Sequence, residues 1–182
     1  MDIEETNIHG VFILKPKSYE DERGFFMETY RAEHFKTLGI AAEFVQDNHS
    51  GSGQGVLRGM HYQINHPQGK LVRVASGEVF DVVVDIRKSS STFGKWFGAM
   101  LTAENKHQLW IPPGFAHGFY VLSEWADLLY KVTEYYAPEW DRVLRWDDAE
   151  IGIEWPLLGG AQPRLSTKDA QGTSLAESEL FE

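Results

Sequence analysis

A histidine, a lysine and two arginines lie within sixteen positions of the sequence, close enough to serve one reaction. They are Arg58, His61, Lys70 and Arg73, in the segments VLRGMHYQ and GKLVR. Removing a proton from carbon beside a carbonyl group needs a positioned base and a cation that stabilises the enolate oxygen. Neutral imidazole suits the first role near neutral pH, and an ammonium group suits the second. The two segments therefore predict a site for proton abstraction.

Each segment is predicted to be a strand, and pairing of the two strands would bring their side chains to one wall of a cavity. His61 and Gln63 share a strand face because their spacing is even. Arg58 and His61 have odd spacing and would face opposite sides of a regular strand. Either Gly59 permits a bulge, or the two residues serve different sites, such as sites across a dimer interface. Taken singly, a strand histidine is more often structural and a lysine more often a solvated charge.

Composition limits the functions open to this chain. Its 182 residues are 42% hydrophobic and include no cysteine, which predicts a packed cytoplasmic protein without disulfides or thiolate metal sites. A net charge of −10 argues against nucleic-acid binding, because phosphate backbones require a basic face. No stretch approaches the ~20 apolar residues that span a bilayer, and the acidic residues 1–5 are unlike a secretory signal. We therefore expect neither a nucleic-acid nor a membrane partner.

Short apolar stretches separated by turn residues recur along the chain, a pattern typical of an all-β sandwich or barrel. A short surface helix is predicted over residues 31–38, with Gly39 at the position that ends helices. Residues 126–136 alternate as one strand, which places Tyr130 and Tyr136 on the same face. That face either lines a cavity or forms the edge of the core.

A metal site is a rival interpretation of the histidines. Residues 112–117, PPGFAH, resemble the second metal box of the cupins, whose histidine joins two histidines and a carboxylate of a first box. Here the first box reads His61-Tyr62-Gln63 and lacks the second histidine. No thiolate or close histidine pair supplies the missing ligands, so no metal is predicted.

Phosphate binding would depend on side chains, because no glycine-rich loop opens a helix. Arg23, Arg58 and Lys168 are candidates, since arginine suits bidentate contact with phosphate. Taken alone, each of them is more typical of a solvated surface charge.

Seven segments together resemble the dTDP-4-dehydrorhamnose 3,5-epimerase family over residues 11–169. They are DERGFF (21–26), QDNHS (46–50), VLRGMH (56–61), GKLVR (69–73), FDVVVDIR (80–87), IPPGFAHGF (111–119) and LSTKD (165–169). The resemblance implies a cupin-type jelly roll with a few short peripheral helices, a homodimer, and no metal or other cofactor. We expect one epimerase domain at residues 1–182, with its core at about 11–169 and a peripheral tail at 170–182.

The resemblance also implies a substrate and a role for each site residue. The substrate is dTDP-4-dehydro-6-deoxy-D-glucose, inverted at C3 and C5 on the way to dTDP-L-rhamnose. His61 matches the proton acceptor, with Asp169 as its carboxylate partner, and Lys70 matches the residue that stabilises the enolate. Tyr130 matches the proton donor on the other face of the sugar, and Tyr136 the residue that stacks on thymine. The remaining positions implied to contact substrate are Arg23, Glu28, Gln46, Asn48, Arg58, His117, Asp141 and Lys168.

Three alternatives stay open at this stage. Related enzymes on the same scaffold invert only C3 or C5, or move the ketone, and they differ by details of the pocket. A non-catalytic sugar-nucleotide binding module would be expected to lack His61, Lys70 or Tyr130, and all three are present. A metal-dependent cupin dioxygenase would require the ligands that the first box lacks.

Overall fold

The computed structural model describes residues 1–182 and is built mainly of antiparallel strands. The strands are β1 (Asp2–Glu5), β2 (Phe12–Lys15), β3 (Ser18–Asp21), β4 (Gly24–Met27), β5 (Gln46–Gly53), β6 (Leu57–Gln63), β7 (Lys70–Ser76), β8 (Glu78–Asp85), β9 (Trp96–Thr102), β10 (Gln108–Ile111), β11 (Phe115–Val121), β12 (Trp125–Val132) and β13 (Asp141–Val143). The helices are α1 (Ala32–Thr37) and α2 (Thr167–Ala170), with single 3-10 turns at Pro138–Trp140, Leu158–Gly160 and Leu175–Glu177.

Two sheets form a sandwich, and a separate hairpin projects from it. The larger sheet has the order β1-β2-β10-β7-β12-β5, and the smaller has the order β13-β6-β11-β8-β9. Strands β3 and β4 pair only with each other. The predicted all-β, cupin-type jelly roll is thereby confirmed. None of the helices has the length and hydrophobicity needed to cross a bilayer.

The space between the sheets is divided into an apolar core and a polar cavity. Val72 and Leu128 of the larger sheet pack with Val83 and Phe119 of the smaller one in a cluster of buried side chains. Full burial of a side chain of this kind contributes about 1.5–3 kcal/mol. Further along the same inner faces, polar residues replace the apolar ones, and the cavity described below begins there.

Helix α1 agrees with its prediction and covers part of the outer face of the larger sheet. Phe35, its one buried residue, packs with Leu14, Leu71 and Trp110. Gly39 follows the helix with φ of +80°, a left-handed conformation that glycine adopts without a steric cost.

The strands β6 and β7 lie in different sheets, so the predicted pairing of the two segments is wrong. Residues 64–69 carry the chain across from one sheet to the other, and Pro67 within them cannot donate a ladder hydrogen bond. His61 and Lys70 therefore approach each other from opposite walls of the sandwich. A two-residue hairpin turn would have kept them in one sheet.

A β-bulge at Gly59 changes the direction of the side chains along β6. His61 pairs with His117 of β11, whereas Arg58, three residues before His61, pairs with Phe119, only two residues after His117. Gly59 has φ of +142°, and a Cβ there would lie 2.6 Å from a backbone Cα of β11. The extra residue turns both Arg58 and His61 to the inner face, so the bulge, and not a second site, explains their odd spacing.

The C-terminal segment, expected as a peripheral tail at 170–182, is packed against the outer face of the smaller sheet. Leu175 is buried there, and Phe181 packs with Tyr62. The Tyr62 hydroxyl donates to the Glu179 carbonyl at 2.6 Å, and the Glu179 carboxylate accepts from Arg142 at 2.8 Å. The segment covers an apolar sheet face that would otherwise be exposed to water.

Candidate active site

A cavity of about 200 Å³ opens between the two sheets, where polar side chains replace the apolar core. Both sheets contribute to its wall, so a bound molecule would be contacted from two sides. Its lining consists of Ser50, Arg58, His61, Tyr62, Gln63, Gln68, Lys70, His117, Gly118, Phe119, Leu128, Tyr130, Tyr136 and Asp141.

His61 projects from β6 and is held from behind by Asp169 of α2. Its Nε2 lies 2.5 Å from Asp169 Oδ1, and the carboxylate is almost completely buried. Burial opposes ionisation of Asp169, but hydrogen bonds from His61, Ser166 and the Gly59 backbone outweigh it and hold its pKa below the usual range. The ionised carboxylate accepts the Nε2 proton, which leaves Nδ1 of His61 as the basic nitrogen.

Lys70 enters the cavity from β7 of the facing sheet. Its side chain is buried, and its Nζ donates a single hydrogen bond, to the His61 carbonyl at 3.2 Å. Burial lowers its pKa to about 8, although Asp141 and Asp81 partly compensate by attracting the ammonium charge. Two of the three ammonium hydrogens are left for a bound oxygen.

Tyr130 lies on β12 of the larger sheet, across the cavity from His61. Burial raises the pKa of its phenol, which Arg58 opposes and Asp141 reinforces, so the hydroxyl is protonated at neutral pH. Tyr130 also borders a second cavity of about 290 Å³, which Asn48 helps to line. A phenol that keeps its proton can donate it to carbon from the side opposite His61.

Asp81 and His117 form a second histidine–carboxylate pair, in which only His117 lines the cavity, and sequence reasoning missed the carboxylate. His117 Nε2 lies 3.0 Å from each carboxylate oxygen of Asp81. Burial lowers the pKa of His117 despite Asp81, and the nearby Lys70 and His61 lower it further. Asp81 lies within FDVVVDIR on the inner strand face that it shares with Val83, and a carboxylate among apolar residues was the available signal.

Arg58 reaches the cavity with its guanidinium held at one end. Its Nε donates to Ser52 Oγ at 2.9 Å, and an Nη atom reaches the Gly51 carbonyl at 3.4 Å. The remaining N–H groups are available to an anionic ligand.

Tyr136 lies in the loop after β12, so the prediction of one strand through residues 126–136 is wrong. β12 ends at Val132, which pairs with Gln46 on one side and Lys70 on the other, the residues that begin the neighbouring strands. Beyond Val132 the ladder ends with one further backbone bond, from the Thr133 N–H to the Gly69 carbonyl at 3.0 Å. The loop is held instead by Gln63, whose side chain bonds to the backbone of Tyr135 and Ala137.

Acidic and basic side chains meet beside Tyr136 at the mouth of the cavity. The Tyr136 hydroxyl donates to Asp141 at 2.9 Å, and Lys168 donates to the same carboxylate oxygen. Gln46 accepts from the Tyr136 backbone N–H at 3.2 Å and donates to Asn48 at 2.8 Å. These five predicted residues therefore form one connected group.

Arg23 and Glu28 are not brought to the cavity within this chain. Arg23 lies at the tip of the β3–β4 hairpin with its side chain 84% exposed and paired with Asp21. Glu28 pairs with Arg31 and His34 near helix α1. No group of three or more His, Cys, Asp or Glu side chains is arranged to hold a metal ion.

The sandwich and its cavity define a cupin-type fold equipped for proton transfer. A histidine–carboxylate pair, a buried ammonium group and a protonated phenol converge on one space from two facing sheets. Those are the groups needed to take a proton from carbon, stabilise the enolate and return a proton from the other face.

The chain belongs to the dTDP-4-dehydrorhamnose 3,5-epimerase family, whose sequence model matches residues 5–177. A relative of that name from Pseudomonas aeruginosa is 54% identical, over 96% of each chain. One from Neisseria gonorrhoeae is 56% identical over 98% of this chain, which spans only 54% of that longer protein. The crystal structure of a Legionella pneumophila dTDP-6-deoxy-D-glucose-3,5-epimerase in complex with dTDP-4-keto-L-rhamnose superposes with a TM-score of 0.96, at 52% identity over 99% of this chain and 97% of that one.

Proposed function

We propose that this chain is an epimerase that inverts C3 and C5 of dTDP-4-dehydro-6-deoxy-D-glucose to give dTDP-4-dehydro-L-rhamnose. The observation that carries the proposal is the placement of His61 and Tyr130 on facing sheets, with the buried Lys70 ammonium in the same cavity. Inversion at carbon requires removal of a proton from one face and delivery to the other. Family membership supplies the substrate and the two carbons.

The proposed mechanism is two rounds of the same proton exchange. His61 Nδ1 takes the C5 proton, the electrons of the C–H bond move into the C4 carbonyl, and the enolate oxygen accepts hydrogen bonds from Lys70. Tyr130 then donates its phenolic proton to C5 from the opposite face, and both residues regain their starting protonation from solvent. The C3 proton is exchanged in the same way. Arg58, His117, Lys168 and the loop carrying Tyr136 are proposed to hold the nucleotide and the sugar.

Proton NMR of the product formed in heavy water tests the activity. We expect deuterium at both C3 and C5 with inverted configuration at each carbon. Label and inversion at one carbon would identify a C3- or C5-only epimerase, and a ketone at C3 would identify a ketoisomerase. Recovery of unlabelled substrate would overturn the proposal.

Tyr130→Phe should uncouple proton removal from inversion. The base and the ammonium group stay in place, so washout of substrate hydrogen into heavy water should continue. Without the phenolic proton, delivery from the opposite face should fall by about 10²–10⁴-fold. Chiral analysis of the recovered sugar measures the inverted fraction, and Tyr120→Phe, which removes a hydroxyl outside the cavity lining, is the matched control. Inversion by Tyr130→Phe at the wild-type rate would remove Tyr130 from the donor role.

Activity should fall as the pH rises above about 8, because Lys70 loses its charge there. A neutral amine stabilises an enolate oxygen less than an ammonium group does. In wild type, the pH profile of kcat should show an alkaline limb at a pH well below the ordinary pKa of lysine. The same limb in Lys70→Met would assign it to another group.

We also propose that residues 1–182 act as one epimerase domain, in a cytoplasmic homodimer. The β3–β4 hairpin exposes Tyr19, Phe25 and Phe26 together with the predicted ligand Arg23. Arg23 is a predicted ligand that lies outside the cavity of its own chain. The exposed aromatic side chains beside it fit insertion of the hairpin into a second copy of the chain. The hairpin of each chain would then complete the cavity of its partner, which accounts for the distance of Arg23 and Glu28 from the cavity of their own chain.

Mixed dimers test that arrangement. Chains carrying His61→Ala and Arg23→Ala are co-expressed with different tags, and the mixed dimer is isolated through both. If Arg23 crosses to the partner, one of two sites is intact and about half of the wild-type activity should return at low substrate concentration. A mixed dimer no more active than the two parent variants would place Arg23 and His61 in the same chain's site. A monomer by light scattering would overturn the dimer itself.

A further inference from the structure

The carboxylate of Asp169 is bound by more than His61. Its Oδ1 faces His61 Nε2, and its Oδ2 accepts the Ser166 hydroxyl proton at 2.8 Å. The same Ser166 oxygen accepts the backbone N–H of Asp169 at 3.1 Å. Ser166 thus contacts Asp169 twice, once as a hydrogen-bond donor to the carboxylate and once as an acceptor from the backbone N–H.

We propose that Ser166 is a positioning residue for the reaction, which fixes the carboxylate of Asp169 so that His61 presents its basic nitrogen to the substrate. The proposal rests on the proposed role of His61 as the base. Ser166 is absent from the cavity lining and therefore acts through Asp169.

Geometry gives the reason why a second contact matters. A carboxylate held through one oxygen can rotate about the bond to its Cβ, and the imidazole bonded to it can follow. The Ser166 hydroxyl has one hydrogen, which it donates to Oδ2, and its oxygen accepts the Asp169 N–H. Both carboxylate oxygens are then fixed, and the ring of His61 has one favoured orientation.

The competing explanation is a purely structural one, since Ser166 is the N-cap of helix α2. Capping alone predicts lost stability when the side chain is removed, with no specific change in the reaction. Glycine replaces serine at an N-cap with little loss of helix stability, and threonine retains a capping hydroxyl. Ser166→Gly therefore removes the donor to Asp169 with little loss of capping, and Ser166→Thr keeps both functions.

The experiment measures the rate of deuterium uptake by the keto sugar, together with kcat, KM and their pH dependence. We expect Ser166→Gly to lower kcat by about 10- to 100-fold, the range for a lost hydrogen bond to a charged group, with KM nearly unchanged. Ser166→Thr should recover most of the rate. In Ser166→Gly the acid limb of kcat/KM should move to higher pH, because Asp169 without this donor binds a proton more readily. The titratable side chain that contacts the Asp169 carboxylate is that of His61.

A double-mutant cycle gives the decisive comparison. In an Asp169→Ala background, Ser166→Gly should cost nothing further, because the group that it positions is gone. The proposal is overturned if Ser166→Gly keeps its full effect in that background, if the loss appears only in KM, or if kcat stays within about twofold of wild type. Failure of the wild-type enzyme to invert C3 and C5 would count against the proposed function alone, since the exchange assay reads proton removal at either carbon.

Discussion

Replacing His61 by alanine should abolish incorporation of solvent deuterium into dTDP-4-dehydro-6-deoxy-D-glucose. The Nε2 of His61 is held by the buried Asp169 carboxylate, whose pKa is lowered, so Nδ1 is left to act as the base. Loss of a general base lowers rates by about 10²–10⁴-fold, and here both carbons depend on the same residue. Deuterium uptake followed by NMR, with enzyme in large excess over the ordinary assay amount, measures the residual rate.

His117→Asn is the matched control for His61→Ala. His117 also lines the cavity and also faces a carboxylate, but it is more deeply buried and occupies the facing position on β11. We expect His117→Asn to weaken substrate binding while exchange at both carbons persists at high substrate concentration. Exchange at the wild-type rate in His61→Ala, or its complete loss in His117→Asn, would transfer the base role to His117.

Replacing Lys70 by methionine should lower kcat by about 10²–10³-fold, the usual cost of removing one group that stabilises an oxyanion. Methionine is close to lysine in length and suits a buried site, so the cavity should keep its shape. The variant should exchange the protons at C3 and at C5 more slowly to a similar extent, because the C4 oxygen carries the developing charge in each round. Single-turnover exchange rates at C3 and C5 measure this slowing.

Thermal unfolding provides the control for Lys70→Met. Wild type holds Lys70 at a pKa of about 8 against an ordinary 10.5, so between these values the unfolded chain binds more protons and wild-type stability should rise with pH. Lys70→Met should lack that rise and be no less stable than wild type at neutral pH, since it removes a buried charge. A variant that loses activity because it unfolds at neutral pH would not test the oxyanion role. Retention of wild-type kcat in a folded variant would contradict that role.

Much of the cavity wall was predictable from the sequence because strand alternation is a local property. His61 and Gln63 follow a simple period-two pattern that the structure retains. The all-β fold followed from short strands between turn residues. The resemblance to the family added the roles of Tyr130 and Asp169, which lie far from His61 in sequence and could not have been joined to it by spacing.

The remaining features depend on contacts between distant residues. Whether β6 pairs with β7 depends on where residues 64–69 lead the chain, and alternation within a strand contains no such information. The end of β12 at Val132 is set by where its neighbouring strands begin. Ser166 bonds to Asp169 at the N-cap of α2, a contact that is local in sequence. Its proposed positioning role depends on His61, more than a hundred positions away.

The extra residue in β6 has a consequence for how this protein tolerates insertions and deletions. Deletion of Gly59 would leave Arg58 and His61 two positions apart, the spacing that regular alternation places on one face, so both side chains could still reach the cavity. Replacement of Gly59 by a larger residue keeps the odd spacing but places a Cβ 2.6 Å from the backbone of β11. At this position, loss of the residue should therefore be tolerated better than a change in its type.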